Sequence, residues 1–71
     1  MRFYITFQSK YINIGHCFAV VEGTTYDEAR QKVEEARGSD FAFMYTEEAF
    51  MPQIKKYGLS ETDLHAVGVE R

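Results

Sequence analysis

The sequence has one cysteine, one proline, no tryptophan and no fully apolar run longer than five residues, and each scarcity closes off a class of protein. Cys17 has no internal disulfide partner, which excludes a secreted disulfide scaffold and fits a reducing compartment, where a lone thiol behaves as a small hydrophobe. The apolar run at residues 17–21 falls far short of the roughly 20 residues that span a bilayer as a helix. The N-terminus lacks the apolar core and small-residue cleavage site of a signal peptide, so a cytoplasmic protein with no membrane partner is expected. The five glycines form no phosphate-cradling loop. Internal repeats, low-complexity tracts and linkers are also missing.

Catalytic and metal patterns are equally sparse. His16 and Cys17 are adjacent, and consecutive strand side chains point to opposite faces, so they do not form a thiolate–imidazole dyad. His16, Cys17 and His65 lack the paired ligand spacing of a structural zinc site. Glu34 with Glu35, or Glu47 with Glu48, would serve as an acid/base pair only if sequence neighbours converged; solvated charge is the ordinary reading. No enzyme activity, metal or cofactor is expected.

What remains is a small α+β pattern. The 71 residues make one domain, of a size that buries only about 60% of its unfolded surface and depends on a very apolar core or a partner chain. Residues 2–8 alternate with period two, placing Phe3, Ile5 and Phe7 on one face and Tyr4 and Thr6 on the other, a half-buried strand. Residues 9–15 read as a hairpin loop, and residues 16–22 as a strand apolar on both faces and therefore central. Thr25 and Glu28 are spaced as a reciprocal capping box. Behind them Tyr26, Ala29, Val33 and Ala36 form one apolar stripe, Glu28 and Lys32 stand at i, i+4, and Gly38 is the expected terminator. Residues 41–45 read as a third strand. Residues 46–51 suit one capped helical turn stopped by Pro52. An irregular stretch with Gly58 and a local cap at Ser60 follows, then a closing strand at 65–70. The expected order is β-β-α-β-β: a small antiparallel sheet with one amphipathic helix on one face.

One helix of about three turns, ~18 Å long, covers only one face of such a sheet. Tyr4, Tyr11, Tyr45 and Tyr57 suit the other face or its rim, because tyrosine buries its ring while its hydroxyl stays wet. That face is closed either by a homodimer or partner surface, or by residues 55–64 folding across it.

Charge divides the chain. Residues 22–48 hold eight acids against three bases, a net −5, and the remainder is +2. Charged residues are the default on a solvated helix face. The same acids, Asp27, Glu28, Glu34 and Glu35 with Glu47 and Glu48 nearby, repel nucleic acid and attract a basic protein groove. Lys10-Tyr11 and Lys55-Lys56-Tyr57 set basic charge beside an aromatic ring, as single-strand binders do. The acidic balance, and the single strong helix where an RNA-recognition sheet has two, argue against direct nucleic-acid binding.

The segments Arg2-Phe3-Tyr4-Ile5-Thr6-Phe7-Gln8-Ser9-Lys10-Tyr11, Tyr26-Asp27-Glu28-Ala29-Arg30 and Phe41-Ala42-Phe43-Met44-Tyr45, with Phe50, resemble a loose family of very small bacteriophage and prophage proteins. In that pattern an opening strand ends in Gly-Gln-Lys-Tyr, a helix begins near Ala-Arg, and a Trp-Ala-Phe-x-Tyr strand precedes acidic residues and Phe. This chain has Phe7 for the glycine, Ser9 inserted before Lys10, Phe41 for the tryptophan and no His-Pro in the loop. The resemblance implies a phage protein with no established activity. By analogy with anti-CRISPR proteins it implies a stoichiometric inhibitor of a host defence factor, its acidic face on a basic groove. Two alternatives stay open: a homodimeric sponge for a nucleotide signal, using Lys10, Tyr11, His16 and Tyr45, and an accessory subunit of a phage complex.

Overall fold

In the computed structural model, which describes residues 1–70, β1 (Arg2–Thr6) and β2 (Cys17–Glu22) are followed by α1 (Tyr26–Arg37), β3 (Met44–Thr46), α2 (Glu47–Tyr57) and β4 (Ser60–Glu61). The domain is α+β around a four-stranded sheet of order β3-β1-β2-β4. Strand β1 runs antiparallel to both β2 and β3, while β4 lies parallel to β2. The parallel pairing follows from α2: a helix carries the chain from one sheet edge to the other, and a crossover of that kind delivers the next strand in the same direction.

Alternation along β1 and β2 splits the interior into two cores. Phe3, Ile5, Phe7, Ala19 and Val21 meet Ala29 and Val33 of α1. Tyr4 and Phe18 meet Phe50 of α2, with Val20, Tyr45, Ile54 and Leu59 around them. Strand β1 is thus buried on both faces rather than half-buried. Phe50 has no exposed surface, and its ring lies 5.0 Å from Tyr4, 5.2 Å from Tyr45 and 5.3 Å from Phe18. Each such aromatic pair adds about 0.5–1.5 kcal/mol beyond area burial.

The second helix is the main departure from the sequence expectation. Thr46 caps it, accepting from Ala49 N–H at 3.4 Å, and the helix runs through Pro52 to end at Gly58, whose φ of 60° and ψ of 40° are left-handed. Pro52 does not stop it because the proline stands on the solvent side, where Glu48, whose carbonyl it leaves without a helical donor, is also exposed, while Phe50 and Ile54 hold the opposite side in the core. Helix α2, which takes in residues 55–57 of the expected 55–64 segment and is joined by Leu59, covers the sheet face expected to be open. Ser60, read as a cap, lies in β4, its N–H donating to the His16 carbonyl at 3.2 Å.

Strand β3 is shorter than the expected 41–45. Thr6 accepts from Ala42 N–H at 2.8 Å and donates to the Phe43 carbonyl at 3.0 Å. Two residues therefore oppose one, a bulge that sets Ala42 out of register and ends regular pairing, while Phe43 keeps its ring 6.3 Å from that of Tyr45. In α1, Thr25 accepts from Glu28 N–H at 3.2 Å, the Thr25 half of the predicted box. Gly38 closes the helix at φ 63°, its N–H donating to Glu34 O. Lys32 does not pair with Glu28; it donates to the Glu22 carbonyl at 2.8 Å, an acceptor left at the end of β2.

Residues 62–70 form no extended strand, and their one bridge joins Tyr11 to Glu70. They are held largely by side chains. Arg37 donates to the carbonyls of Leu64 and Ala66, and Asn13 donates to the Val67 carbonyl at 2.8 Å and accepts from Val69 N–H at 2.7 Å. Gly68 lies flat on the Tyr11 ring, where a Cβ would overlap the ring carbons.

Candidate interaction surface

Helix α1 presents its acids as one face. At about 100° per residue, Asp27, Glu28, Glu34 and Glu35 fall in an arc of about 120° centred on Gln31, opposite the buried Ala29 and Val33. All four are exposed. The bases stand at the flanks, and Arg30 Nε lies 3.2 Å from Glu34 Oε1. That pair holds the Arg30 guanidinium above its ordinary pKa, chiefly through the hydrogen bond to Glu34.

One flank of this arc opens into a groove of about 520 Å³ between α1 and the chain leading into β3, lined in part by Tyr26, Arg30, Glu34, Phe41, Phe43 and Met44. The Arg30 guanidinium lies 5.7 Å from the Phe41 ring centroid. Tyr26 packs edge-on against Phe3 at 5.7 Å and keeps its other side in the groove. Phe43 is 65% exposed, its ring 6.3 Å from that of Tyr45. An aromatic concavity crossed by an ion pair, beside a run of exposed carboxylates, suits a protein surface with an apolar anchor and basic neighbours.

The remaining expected residues divide. Glu47 and Glu48 are exposed in the first turn of α2, on the sheet face opposite α1, and Glu47 accepts from the Tyr4 hydroxyl at 3.1 Å. They do not extend the α1 arc; they lie beyond the C-terminal end of β3. Lys10, Tyr11, His16 and Tyr45 do not share a pocket. Lys10 pairs with Glu70 at 3.0 Å, a contact that raises its pKa. The Tyr11 hydroxyl donates to Asp40, which raises the Tyr11 pKa, and Tyr45 belongs to the core on the α2 side. His16 is exposed just before β2.

The sequence does not mark the groove residues Tyr26, Arg30, Phe41, Phe43 and Met44 as a site. Tyr26 reads as part of the apolar stripe and residues 41–45 as an ordinary strand. The legible signal is the Arg30, Glu34 spacing at i, i+4.

Among the described residues no group of three or more His, Cys, Asp or Glu is placed to hold a metal ion, and no helix is long and apolar enough to cross a membrane. No family model, curated protein or solved structure matches the chain.

Proposed function

We propose that this chain is a non-enzymatic binding protein of phage origin, working in the host cytoplasm, that occludes a basic surface on a host defence component such as a CRISPR effector. The observation that carries the reading is the continuity of the α1 acid arc with the aromatic groove through Glu34 and Arg30. The acids steer encounter with a basic surface, and the aromatic side chains supply desolvated contact area once the surfaces meet. The phage origin and the defence target rest on the resemblance to small phage proteins and on analogy with anti-CRISPR inhibitors, since fold alone names no target.

The test is affinity capture from lysate of a bacterial host, with and without CRISPR machinery, comparing the wild-type chain with the double variant Glu34→Lys, Glu35→Lys. Retention of a stoichiometric defence protein by the wild type, and its loss from a double variant that still melts cooperatively, is the expected result. Equal capture by both proteins removes α1 from the interface.

A further inference from the structure

The outer edge of β3 carries a second recognition element that deepens this reading. The register pairs Phe3 with Thr46, Tyr4 with Tyr45 and Ile5 with Met44. Thr6 donates to the Phe43 carbonyl, so along this antiparallel ladder the hydrogen-bonded pairs are Thr6 with Phe43 and Tyr4 with Tyr45. Met44 and Thr46 occupy the alternate positions. Their N–H groups and the Met44 carbonyl point away from β1, and β3 is the terminal strand of the sheet. An edge of this kind is a template for another strand.

Charge surrounds that edge asymmetrically. On the α1 side it is bordered by the groove, where Tyr26, Phe41 and Met44 offer apolar surface and Arg30 is already neutralised by Glu34, while the exposed Phe43 ring lies 6.3 Å from Tyr45 at the strand's start. On the α2 side Glu47 and Glu48 lie beyond its end. A strand laid along β3 sends alternate side chains to the two faces. Those on the α1 side enter an aromatic concavity, and those on the other side approach carboxylates.

We propose that the β3 edge receives an extended segment of the partner by strand addition, and that the segment alternates apolar with basic side chains. Met44 and Thr46 supply the backbone hydrogen bonds. The groove selects an apolar or aromatic side chain, and Glu47 and Glu48 select lysine or arginine on the opposite face. The proposal rests on the binding-protein reading above and names the chemistry of what is bound.

The experiment uses two capped heptapeptides as probes, Lys-Val-Lys-Phe-Lys-Val-Lys and the same sequence with glutamate at every lysine, titrated into isotope-labelled protein and followed at the backbone amides. The basic peptide is expected to give saturable shifts at Phe43, Met44 and Thr46 and to slow amide exchange at Met44 and Thr46; the acidic peptide is expected to give none. Phe43→Lys, at an exposed position, should weaken the basic peptide on the order of tenfold, and Val67→Lys, on a distant exposed residue, should leave it unchanged. Shifts elsewhere, equal binding of both peptides, or no response at Met44 and Thr46 overturns strand addition. Lysate capture separates the two readings. A target lost from the Glu34, Glu35 double variant but kept by Phe43→Lys overturns the edge and leaves the acid face standing.

Discussion

Arg37 binds Asp40 twice over: its Nη2 lies 3.0 Å from the Asp40 carboxylate and its Nε 2.8 Å from the Asp40 carbonyl. The remaining nitrogen reaches the carbonyls of Leu64 and Ala66, and the guanidinium stacks 4.6 Å over Phe7. One side chain joins the end of α1, the loop after it and the C-terminal segment.

Replacing Arg37 with methionine should therefore lower stability by about 2–3 kcal/mol. Breaking a fully buried ion pair costs about 3–5 kcal/mol, but the Asp40 side chain is 39% exposed while that of Arg37 is 5% exposed, so water recovers part of the loss. Arg37→Lys should restore only a fraction, because an ammonium does not reproduce the planar fork that serves Asp40 and two carbonyls together. Urea unfolding checks this: the midpoint should fall with little change in slope. An unchanged midpoint for Arg37→Met would show that the node contributes nothing.

Gly68→Ala should destabilise by about 1–3 kcal/mol, since the new methyl group meets the face of Tyr11 and forces either the ring or residues 67–69 to move. A thermal melt of Gly68→Ala beside the double variant Gly68→Ala, Tyr11→Ala would reveal the clash. If it is the cause, the alanine at 68 should cost much less when the ring is gone.

Pro52→Ala should stabilise the protein by about 1 kcal/mol or more. Proline in a helix interior forfeits the bond to the carbonyl four residues earlier, here Glu48, and costs about 3 kcal/mol relative to alanine. Part of that gain is cancelled because proline also restricts the unfolded chain. A lower melting temperature for Pro52→Ala would mean that the backbone geometry proline imposes here is needed to seat Phe50.

Alkaline pH should weaken the fold through Tyr4 and Tyr11. Burial and then Glu47 raise the Tyr4 pKa above its usual value of 10.0, and the hydrogen bond to Asp40 and then burial do the same for Tyr11. A folded-state pKa above the unfolded one gives stability that is complete below about pH 10 and disappears as pH rises through the folded-state values. Lys10, raised by Glu70, acts in the same direction. Denaturant midpoints measured from neutral pH upward should fall above about pH 10. The slope should be shallower in Tyr11→Phe than in the parent, and parallel curves for the two proteins would remove Tyr11 from the effect.

Local signals with a single physical cause were readable in the sequence. Thr25 and Gly38 bound α1 where an N-cap acceptor and a positive-φ residue are needed, and the alternation of Phe3, Tyr4 and Ile5 assigns side chains to the two cores correctly. The second helix is hidden because Pro52 reads locally as a breaker, whereas burial of Phe50 and Ile54 decides the outcome. The expected strand at 65–70 does not form: Ala66 packs on the α1-side core and Gly68 on the Tyr11 ring, Val67 and Val69 are exposed, and the pairing is one bridge from Glu70 to Tyr11. The role of Arg37 is not legible, since nothing within a few residues reveals that the carbonyls of Leu64 and Ala66 will converge on it. The groove was illegible for a similar reason, being made by a bulge whose partner, Thr6, lies more than thirty residues away.

The clasp of residues 62–70 also bears on when this protein acquires its structure during synthesis. Until those residues have emerged from the ribosome, Arg37 has no carbonyls to bind, Asn13 has no partner backbone, and the Tyr11 ring stands uncovered. A hairpin, a helix and most of the sheet are available earlier, yet the core beneath α1 stays open on one side. The nascent chain therefore stays open to proteases and to adhesion until residues 62–70 have emerged to close that side.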